Sequence, residues 1–346
     1  MDIIRFIKDW TLPVAMGLGA ALYLLFAFTP QLESAATAMG PFFATILPLF
    51  MFLILFVTFC KVDFRQLRPV AWHLWVGVFQ VLFIGVLMAL MLWGEVRGYG
   101  GMGVRVYEGT GVRGFGGTGV RGYEDAKILM EALLMCCISP CATAAAVVTQ
   151  KLGGSLEQMT TYTFLSNFLT VLLAPVCFPL IEKGADITFL AAFTKILHEV
   201  FLVLVVPMLL AYVVKHHMKA LHRRIVSVRD LSYYLWACSL MIVTGTTVKN
   251  IVHANVSVWL LTAIALLGLV ICVIQFAVGR FIGHYFDHTQ EAGQALGQKN
   301  TAFAIWLSSA YLNPLSSVGP GCYILWQNIV NSVEIWKHRK SQEQGA

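Results

Sequence analysis

The chain has 346 residues, of which 58% are hydrophobic and only 12% are charged, and its mean hydropathy is +0.74. A soluble domain carries about 25% charged residues, so this composition excludes a protein that faces water on all sides. The net charge of +6 needs no nucleic-acid partner, because topology alone explains it. The eight cysteines form no C-x-x-C pair, so we expect neither a zinc site nor a disulfide framework.

Ten apolar stretches are long enough to cross a membrane as helices, which takes about 20 predominantly apolar residues. Runs such as Val81 to Trp93 show no alternation of apolar and polar residues, which favours helices over barrel strands. The stretches occupy residues 12–30, 40–60, 70–93, 127–150, 157–181, 189–214, 230–252, 256–285, 292–312 and 316–336. The sequence therefore predicts an all-α membrane protein with ten transmembrane helices.

The distribution of Lys and Arg predicts the orientation. With the N-terminus inside, fifteen basic residues fall in inside segments and seven in outside segments, five of the seven within or directly after one insertion. The positive-inside rule then places both termini in the cytoplasm, with residues 337–346 as a cytoplasmic tail. We expect a bacterial inner (plasma) membrane protein. Its expected partners are the lipid bilayer and a substrate, with no nucleic acid and no protein partner indicated.

The insertion at residues 94–125 is a glycine-rich octapeptide repeat, with Val-Arg at positions 96, 104, 112 and 120. It offers little apolar area to offset the entropy of ordering, which predicts a flexible external loop. Gly98, Gly100 and Gly103 match G-x-G-x-x-G, but a nucleotide site needs a strand before the motif and a helix after it. We interpret the insertion as a tolerated tandem expansion, with a small external β-ribbon that binds a partner as the alternative.

Ten helices divide into two sets of five, and an odd number per half makes the second half enter from the opposite side. This arithmetic predicts two inverted repeats, at about 12–181 and 189–336, with the transport site where matching helices are interrupted. In the fourth helix Pro140 removes a helical N–H. In the ninth a polar cluster, 297–300, lies in an apolar run. Opposed half-helix ends supply N–H groups for anions and carbonyls for cations.

Four segments of the chain resemble motifs of the bile acid:sodium symporter family. They are PLFMFLILFVTFCKVDFRQLRP (48–69), ISPCATAAAVVTQKLGG (138–154), GQKNTAFAIWLSSAYLNP (297–314) and PGCYILWQNIVNS (320–332). The resemblance covers nearly the whole chain outside the insertion. It implies a panel domain and a core domain, with the fourth and ninth helices crossing in the core. It also implies alternating-access symport of a small organic anion, bile-acid-like or another carboxylate or sulfonate.

The resemblance also implies site residues. The substrate-binding positions are Pro140, Thr143, Gly297, Gln298, Lys299 and Asn300. The ion-site positions are Gln80, Thr163, Ala145, Ala146, Ala295 and Lys299. Three of the ion-site positions carry alanine, whose methyl groups offer no oxygen to sodium, and a lysine there would repel the ion. We therefore predict a divergent member with weakened or absent sodium coupling, and no metal or organic cofactor.

An ionisable residue inside a membrane is a functional candidate, and Lys299 is the main one in this chain. Our hypothesis is that its ammonium replaces the coupling cation and pairs with the anionic substrate, which also allows proton coupling. A side chain that reaches the interface or pairs structurally, with Glu131 or Glu199 as candidate counter-charges, is the alternative.

A second transport function remains as an alternative. The chain also resembles the arsenite-efflux permeases of the same superfamily, whose fourth helix carries a Pro-Cys pair that Pro140-Cys141 matches. A non-transporting receptor or membrane-embedded enzyme is the remaining alternative, although no span carries a catalytic motif, and we expect no enzyme activity.

Overall fold

The computed structural model describes residues 11–29, 31–63, 65, 67–101, 117–181, 189–228, 231–253 and 256–345, and within them the chain is helical. The helices are α1 (Thr11–Phe28), α2 (Glu33–Lys61), α3 (Ala71–Gly101), α4 (Gly117–Ile138), α5 (Ala144–Lys151), α6 (Leu156–Ile181), α7 (Phe189–Leu204), α8 (Val206–His217), α9 (Lys219–Ser227), α10 (Leu231–Val252), α11 (Val258–His284), α12 (Thr289–Gly297), α13 (Thr301–Tyr311) and α14 (Val318–Gly345), with a 3₁₀ turn at Pro314–Ser317. The prediction of an all-helical membrane protein is confirmed at this level.

Six helical segments in the described residues are long and apolar enough to cross a membrane. They are Pro41–Lys61, Ala71–Gly94, Leu156–Ile181, Phe193–His217, Tyr234–Val252 and Val258–His284. The first predicted span corresponds to a shorter apolar helix, and the fourth and ninth spans are each divided in two. The tenth lies in α14, whose second half carries charged residues. The sixth span is locally interrupted at Val205, just before Pro207, because proline cannot donate a helical hydrogen bond.

The helices pack in two groups. One group contains α1, α2, α8 and α10, with α10 lying along both α1 and α2. The other contains α3 to α6 and α11 to α14, with α11 against α4, α12 and α14. Helix α7 packs on α6 and on α2, so it joins the two groups, and α13 and α14 also contact the first group. The interrupted fourth and ninth spans both belong to the second group.

The insertion differs from the predicted loop at both of its ends. Helix α3 continues to Gly101, and α4 already begins at Gly117, so residues 94–101 and 117–125 are helical. The residues between, 102–116, lie outside the described part of the chain. The glycine-rich composition predicted a loop. Extending an existing helix, however, forms about one hydrogen bond for each residue fixed and avoids the cost of nucleation, which favours helix at both ends of the insertion.

Candidate functional site

The fourth span is interrupted at residues 139–143, between α4 and α5. Pro140 cannot donate a backbone hydrogen bond, which leaves carbonyl groups at the end of α4 without helical partners. Side chains from three neighbouring helices donate to these carbonyls: Gln275 Nε2 to Cys136 at 3.2 Å, Gln80 Nε2 to Cys137 at 2.9 Å, and Thr170 Oγ1 to Ile138 at 2.9 Å. The broken helix end is therefore fully buried and still hydrogen-bonded.

The ninth span is interrupted at residues 298–300, between α12 and α13, although it contains no proline there. Gln327 of α14 binds the backbone of Lys299 twice: its Oε1 accepts from the Lys299 N–H at 2.9 Å, and its Nε2 donates to the Lys299 carbonyl at 3.3 Å. Tyr323 donates its hydroxyl to the Gly297 carbonyl at 2.7 Å. The Asn300 side chain accepts from a backbone N–H in the first turn of α13 at 3.2 Å. Side chains of α14 thus satisfy an interruption that the local sequence does not enforce.

The two interruptions lie directly against each other. Cys141 and Lys299 form an isolated antiparallel bridge. The Ala142 N–H donates to the Gln298 carbonyl at 2.9 Å, and the Asn300 N–H donates to the Pro140 carbonyl at 2.8 Å. Backbone groups that each broken helix cannot satisfy internally are therefore satisfied by the other, and the predicted site residues 140 and 297–300 come together. We call this contact the crossing.

The Lys299 side chain is buried at the crossing, with 1% of its surface exposed. Its Nζ donates to the Cys137 carbonyl at 3.2 Å, the same oxygen that accepts from Gln80. Within the described residues no carboxylate pairs with this amine, and Glu131 instead contacts the turn before α14. The C-terminal end of a helix carries partial negative charge, so the amine occupies a position that favours a cation.

The three alanines at the predicted ion-site positions are buried in an apolar cluster. Ala145, Ala146 and Ala295 pack with side chains of α3 and α6, among them Trp72 and Tyr162. Apolar packing therefore occupies the place where the resemblance implies oxygen ligands.

The two ion-site positions that retain oxygen-bearing side chains are engaged in other contacts. Gln80 Oε1 accepts from the Tyr162 hydroxyl at 3.2 Å, and Thr163 Oγ1 donates to the Met159 carbonyl of its own helix at 2.9 Å. Of the remaining predicted residues, Thr143 is half-buried before α5 and its side chain makes no capping bond. Gln298 is buried, and its Oε1 has no hydrogen-bond partner among the described residues.

An apolar groove of about 520 Å³ lies beside the crossing, between α3 and α6. Tyr162 and Ser166 line it, and both also reach the crossing: the Ser166 hydroxyl oxygen accepts from the Cys141 N–H at 3.0 Å, while Tyr162 donates to Gln80. Its volume lies within the range of small-molecule sites, about 300–1,000 Å³.

The residues that support the crossing from outside it were not predicted from the sequence. Gln275, Tyr323 and Gln327 hold the two broken ends, yet none was among the predicted site residues. A signal was present, because each is a polar side chain within a long apolar run. Buried polar groups are almost always hydrogen-bonded, so an isolated amide in a span predicts a partner. The sequence does not say which partner.

The chain is similar to a known protein family over a region that includes the fourth interruption. No individual curated protein gives a significant match to the chain. The model of the sodium bile acid symporter family matches residues 48–282, from α2 to the last turn of α11, which is more than half of the chain. The matched part includes α4, the fourth interruption and α6. The chain is an integral membrane protein that belongs to the sodium bile acid symporter family, a family of transporters.

Proposed function

We propose that this protein is a secondary transporter of small organic anions that works without a sodium site of the family type. The observation that carries the proposal is the buried amine of Lys299 at the crossing, with its Nζ 3.2 Å from a carbonyl at the end of α4. A tethered ammonium at a helix C-terminal end supplies the charge that a bound cation would supply. An anionic substrate is the ligand whose charge complements it.

Alternating access requires two bodies that move against each other around a fixed site. The two packing groups are candidates for these bodies, with α1, α2, α8 and α10 as the panel and the helices around the crossing as the core. In this proposal the fourth and ninth spans are equivalent elements of two inverted repeats, and all ten predicted stretches span the membrane. The paired interruptions, 139–143 and 298–300, support that equivalence.

The loss of sodium coupling follows from the ligand chemistry. Sodium needs several oxygen donors, and the alanine positions supply none. The two oxygen-bearing side chains at Gln80 and Thr163 already bond within the protein. The proposal therefore expects uniport, exchange or proton coupling, in which the Lys299 amine takes up a proton together with the anion. Gln298, whose buried Oε1 has no partner among the described residues, is a further candidate for substrate contact.

Uptake into proteoliposomes tests the proposal. The probes are labelled taurocholate, succinate and isethionate, which represent a bile salt, a carboxylate and a sulfonate. We expect uptake of at least one probe, with a rate that stays the same when choline replaces sodium. An imposed pH gradient then separates proton coupling from simple facilitated movement. Strict dependence on sodium would contradict the proposal, and no uptake of any probe would contradict the substrate class.

The proposed orientation places both termini in the cytoplasm and the octapeptide repeat outside. The variant Thr110→Cys, at a position outside the described residues, should react with an impermeant thiol reagent in intact spheroplasts more strongly than the unchanged protein, in which Cys238 is exposed. Labelling only after lysis would show that the orientation is the opposite of the proposed one. The fifteen-to-seven distribution of basic residues supports this arrangement.

The arsenite-type alternative has less support. It relies on the Pro140-Cys141 pair, and the Cys141 thiol contacts the carbonyl of the next residue at 3.7 Å. Within the described residues, no three His, Cys, Asp or Glu side chains are placed to hold an ion together. Trivalent arsenic prefers several thiolates, as soft ions do, so the cysteines of this chain do not favour it.

A further inference from the structure

The fourth and ninth spans each carry a buried carboxylate. The partner of each carboxylate lies in the turn that follows the other span. Glu131, in α4, accepts from the backbone N–H of Asn313 at 3.2 Å and from the hydroxyl of Ser316. Glu291, in α12, accepts from the backbone N–H of Ser155 at 2.7 Å. The two contacts therefore run in opposite directions between the same two broken spans. We call them the reciprocal carboxylate contacts.

The residues that receive the reciprocal carboxylate contacts match in register, although Glu131 lies ten residues before the crossing and Glu291 eight. Cys141 and Lys299 are the bridged residues of the crossing. Ser155 follows Cys141 by fourteen residues, and Asn313 follows Lys299 by fourteen. The side-chain oxygens of Ser155 and Asn313 each accept a backbone N–H of the helical turn that begins after them, at 3.2 and 3.0 Å. Two inverted copies of one unit would produce this agreement.

Both carboxylates are buried and have a basic neighbour three or four residues earlier in the chain. Glu131 is 0% exposed with Lys127 Nζ at 3.7 Å, and Glu291 is 6% exposed with His288 Nδ1 at 3.6 Å. Burying a carboxylate is costly unless it is paired and hydrogen-bonded. A carboxylate close to a helix N-terminus also interacts favourably with the helix dipole. Both groups therefore have the partners that keep them stably in place.

We propose that Glu131 and Glu291 are positioning residues. Glu131, in the fourth span, fixes α14, which supports the ninth interruption, and Glu291, in the ninth span, fixes α6, which supports the fourth interruption. Glu131 holds the turn before α14, and α14 carries Tyr323 and Gln327, which bond the ninth interruption. A displacement of this turn moves the side chains that keep Gly297 to Asn300 out of the helical conformation.

Glu291 acts in the same way on the fourth interruption. It holds Ser155 at the start of α6, and α6 carries Ser166 and Thr170. Ser166 accepts from the Cys141 N–H at 3.0 Å, and Thr170 donates to the Ile138 carbonyl at 2.9 Å. Each broken helix thus stabilises the break in the other through a third helix, and the crossing is held from both of its ends.

The inference rests on the proposed function in that it takes the crossing as the transport site, but its test needs no substrate. Hydrogen exchange of the whole protein in lipid nanodiscs reports on the amides of both interruptions. We expect Glu131→Ala to accelerate exchange in residues 298–300 by about fivefold or more, with a smaller effect at 141–142. We expect Glu291→Ala to show the reverse pattern. Unchanged transport with this pattern would count against the proposed function alone.

The matched controls are Glu124→Gln, two turns before Glu131 on α4, and Asp287→Asn, four residues before Glu291. Both carboxylates are exposed, and we expect neither variant to change exchange at the crossing. If an alanine variant does not fold, the glutamine variants Glu131→Gln and Glu291→Gln retain an acceptor and should show the same pattern at smaller size. Acceleration confined to the released turns, 312–317 or 152–155, would overturn the inference. A uniform rise along the chain in both kinds of variant would do so as well.

Discussion

The two interruptions at the crossing have different causes. In the fourth span Pro140 breaks the helix by itself, since it lacks the N–H and clashes with the preceding turn. In the ninth span every residue from Gly297 to Asn300 is able to continue a helix. The break persists because the Gln327 side chain and the facing backbone of the fourth interruption satisfy its polar groups. The fourth break is caused by the covalent structure of proline, and the ninth is maintained by tertiary contacts. The tertiary break should therefore be the more sensitive of the two to changes elsewhere in the protein.

The two breaks also differ in charge. The ninth carries the Lys299 amine, and the fourth presents to it the carbonyl of Cys137. The fourth break thus presents a carbonyl acceptor, and the ninth supplies the amine that donates to it. In the proposed function, the amine stays at the crossing throughout the cycle because it is part of the chain, and its charge depends on whether it holds a proton.

The largest expected effect comes from removing this charge. Lys299→Met should lower uptake of a transported anion by at least about thirtyfold, the factor that corresponds to about 2 kcal/mol for a lost buried charge interaction. The melting temperature should stay the same or rise, because an apolar side chain of similar size avoids the desolvation cost. Uptake and thermal unfolding of the same preparation measure both. Lys249→Met, at an exposed position of α10, is the control, and unimpaired uptake by Lys299→Met would refute the role of the amine.

The next effect tests whether the ninth break is tertiary. Gln327→Leu leaves the N–H and the carbonyl of Lys299 buried without their partner, and each such group costs about 1–3 kcal/mol. We expect a clear fall in the melting temperature together with loss of uptake. Asn328→Leu is the control, since the Asn328 amide donates to a carbonyl of its own helix. Equal effects of the two substitutions would show that Gln327 has no special part in the break.

A third prediction concerns the close approach of α12 to α11. A Cβ at Gly297 would lie 2.3 Å from the Phe276 ring, so Gly297→Ala forces an overpacked contact that costs about 1–3 kcal/mol. Adding Phe276→Leu should recover part of the lost stability, since it removes the ring. Gly85→Ala, where nothing lies within 4 Å, should be neutral or slightly stabilising. A fully stable Gly297→Ala protein would mean that the helices separate without cost.

The smallest effect should come from the proline itself. Pro140→Ala removes the covalent cause of the fourth break, but side chains from three helices still cap the carbonyls there, and Asn300 still donates to residue 140. We therefore expect a change in stability of about 1 kcal/mol or less and nearly normal uptake. Hydrogen exchange at 139–143 shows whether the break persists. A larger loss than that of Gln327→Leu would reverse the comparison between the two interruptions.

The sequence by itself determined the apolar runs, the break at Pro140 and the polar cluster at 297–300. These are local properties: hydrophobic length, a missing N–H and an unusual charge in an apolar run. The sequence also determined that the side chains of Ala145, Ala146 and Ala295 offer no oxygen ligands, because the identity of a residue alone settles which atoms its side chain contains. Its prediction of a loop over the whole of 94–125 was wrong at both ends, since helix extension outweighed the glycine-rich composition there.

Only the tertiary structure decided which groups meet. The Lys299 amine faces the Cys137 carbonyl, and Gln327 holds the break from 28 residues away in the chain. The carboxylates of Glu131 and Glu291 contact turns 185 and 136 residues distant. A polar residue within an apolar run of the sequence predicts that its side chain has a hydrogen-bond partner. Which partner it finds depends on how helices far apart in the chain pack, and local patterns carry no information about that.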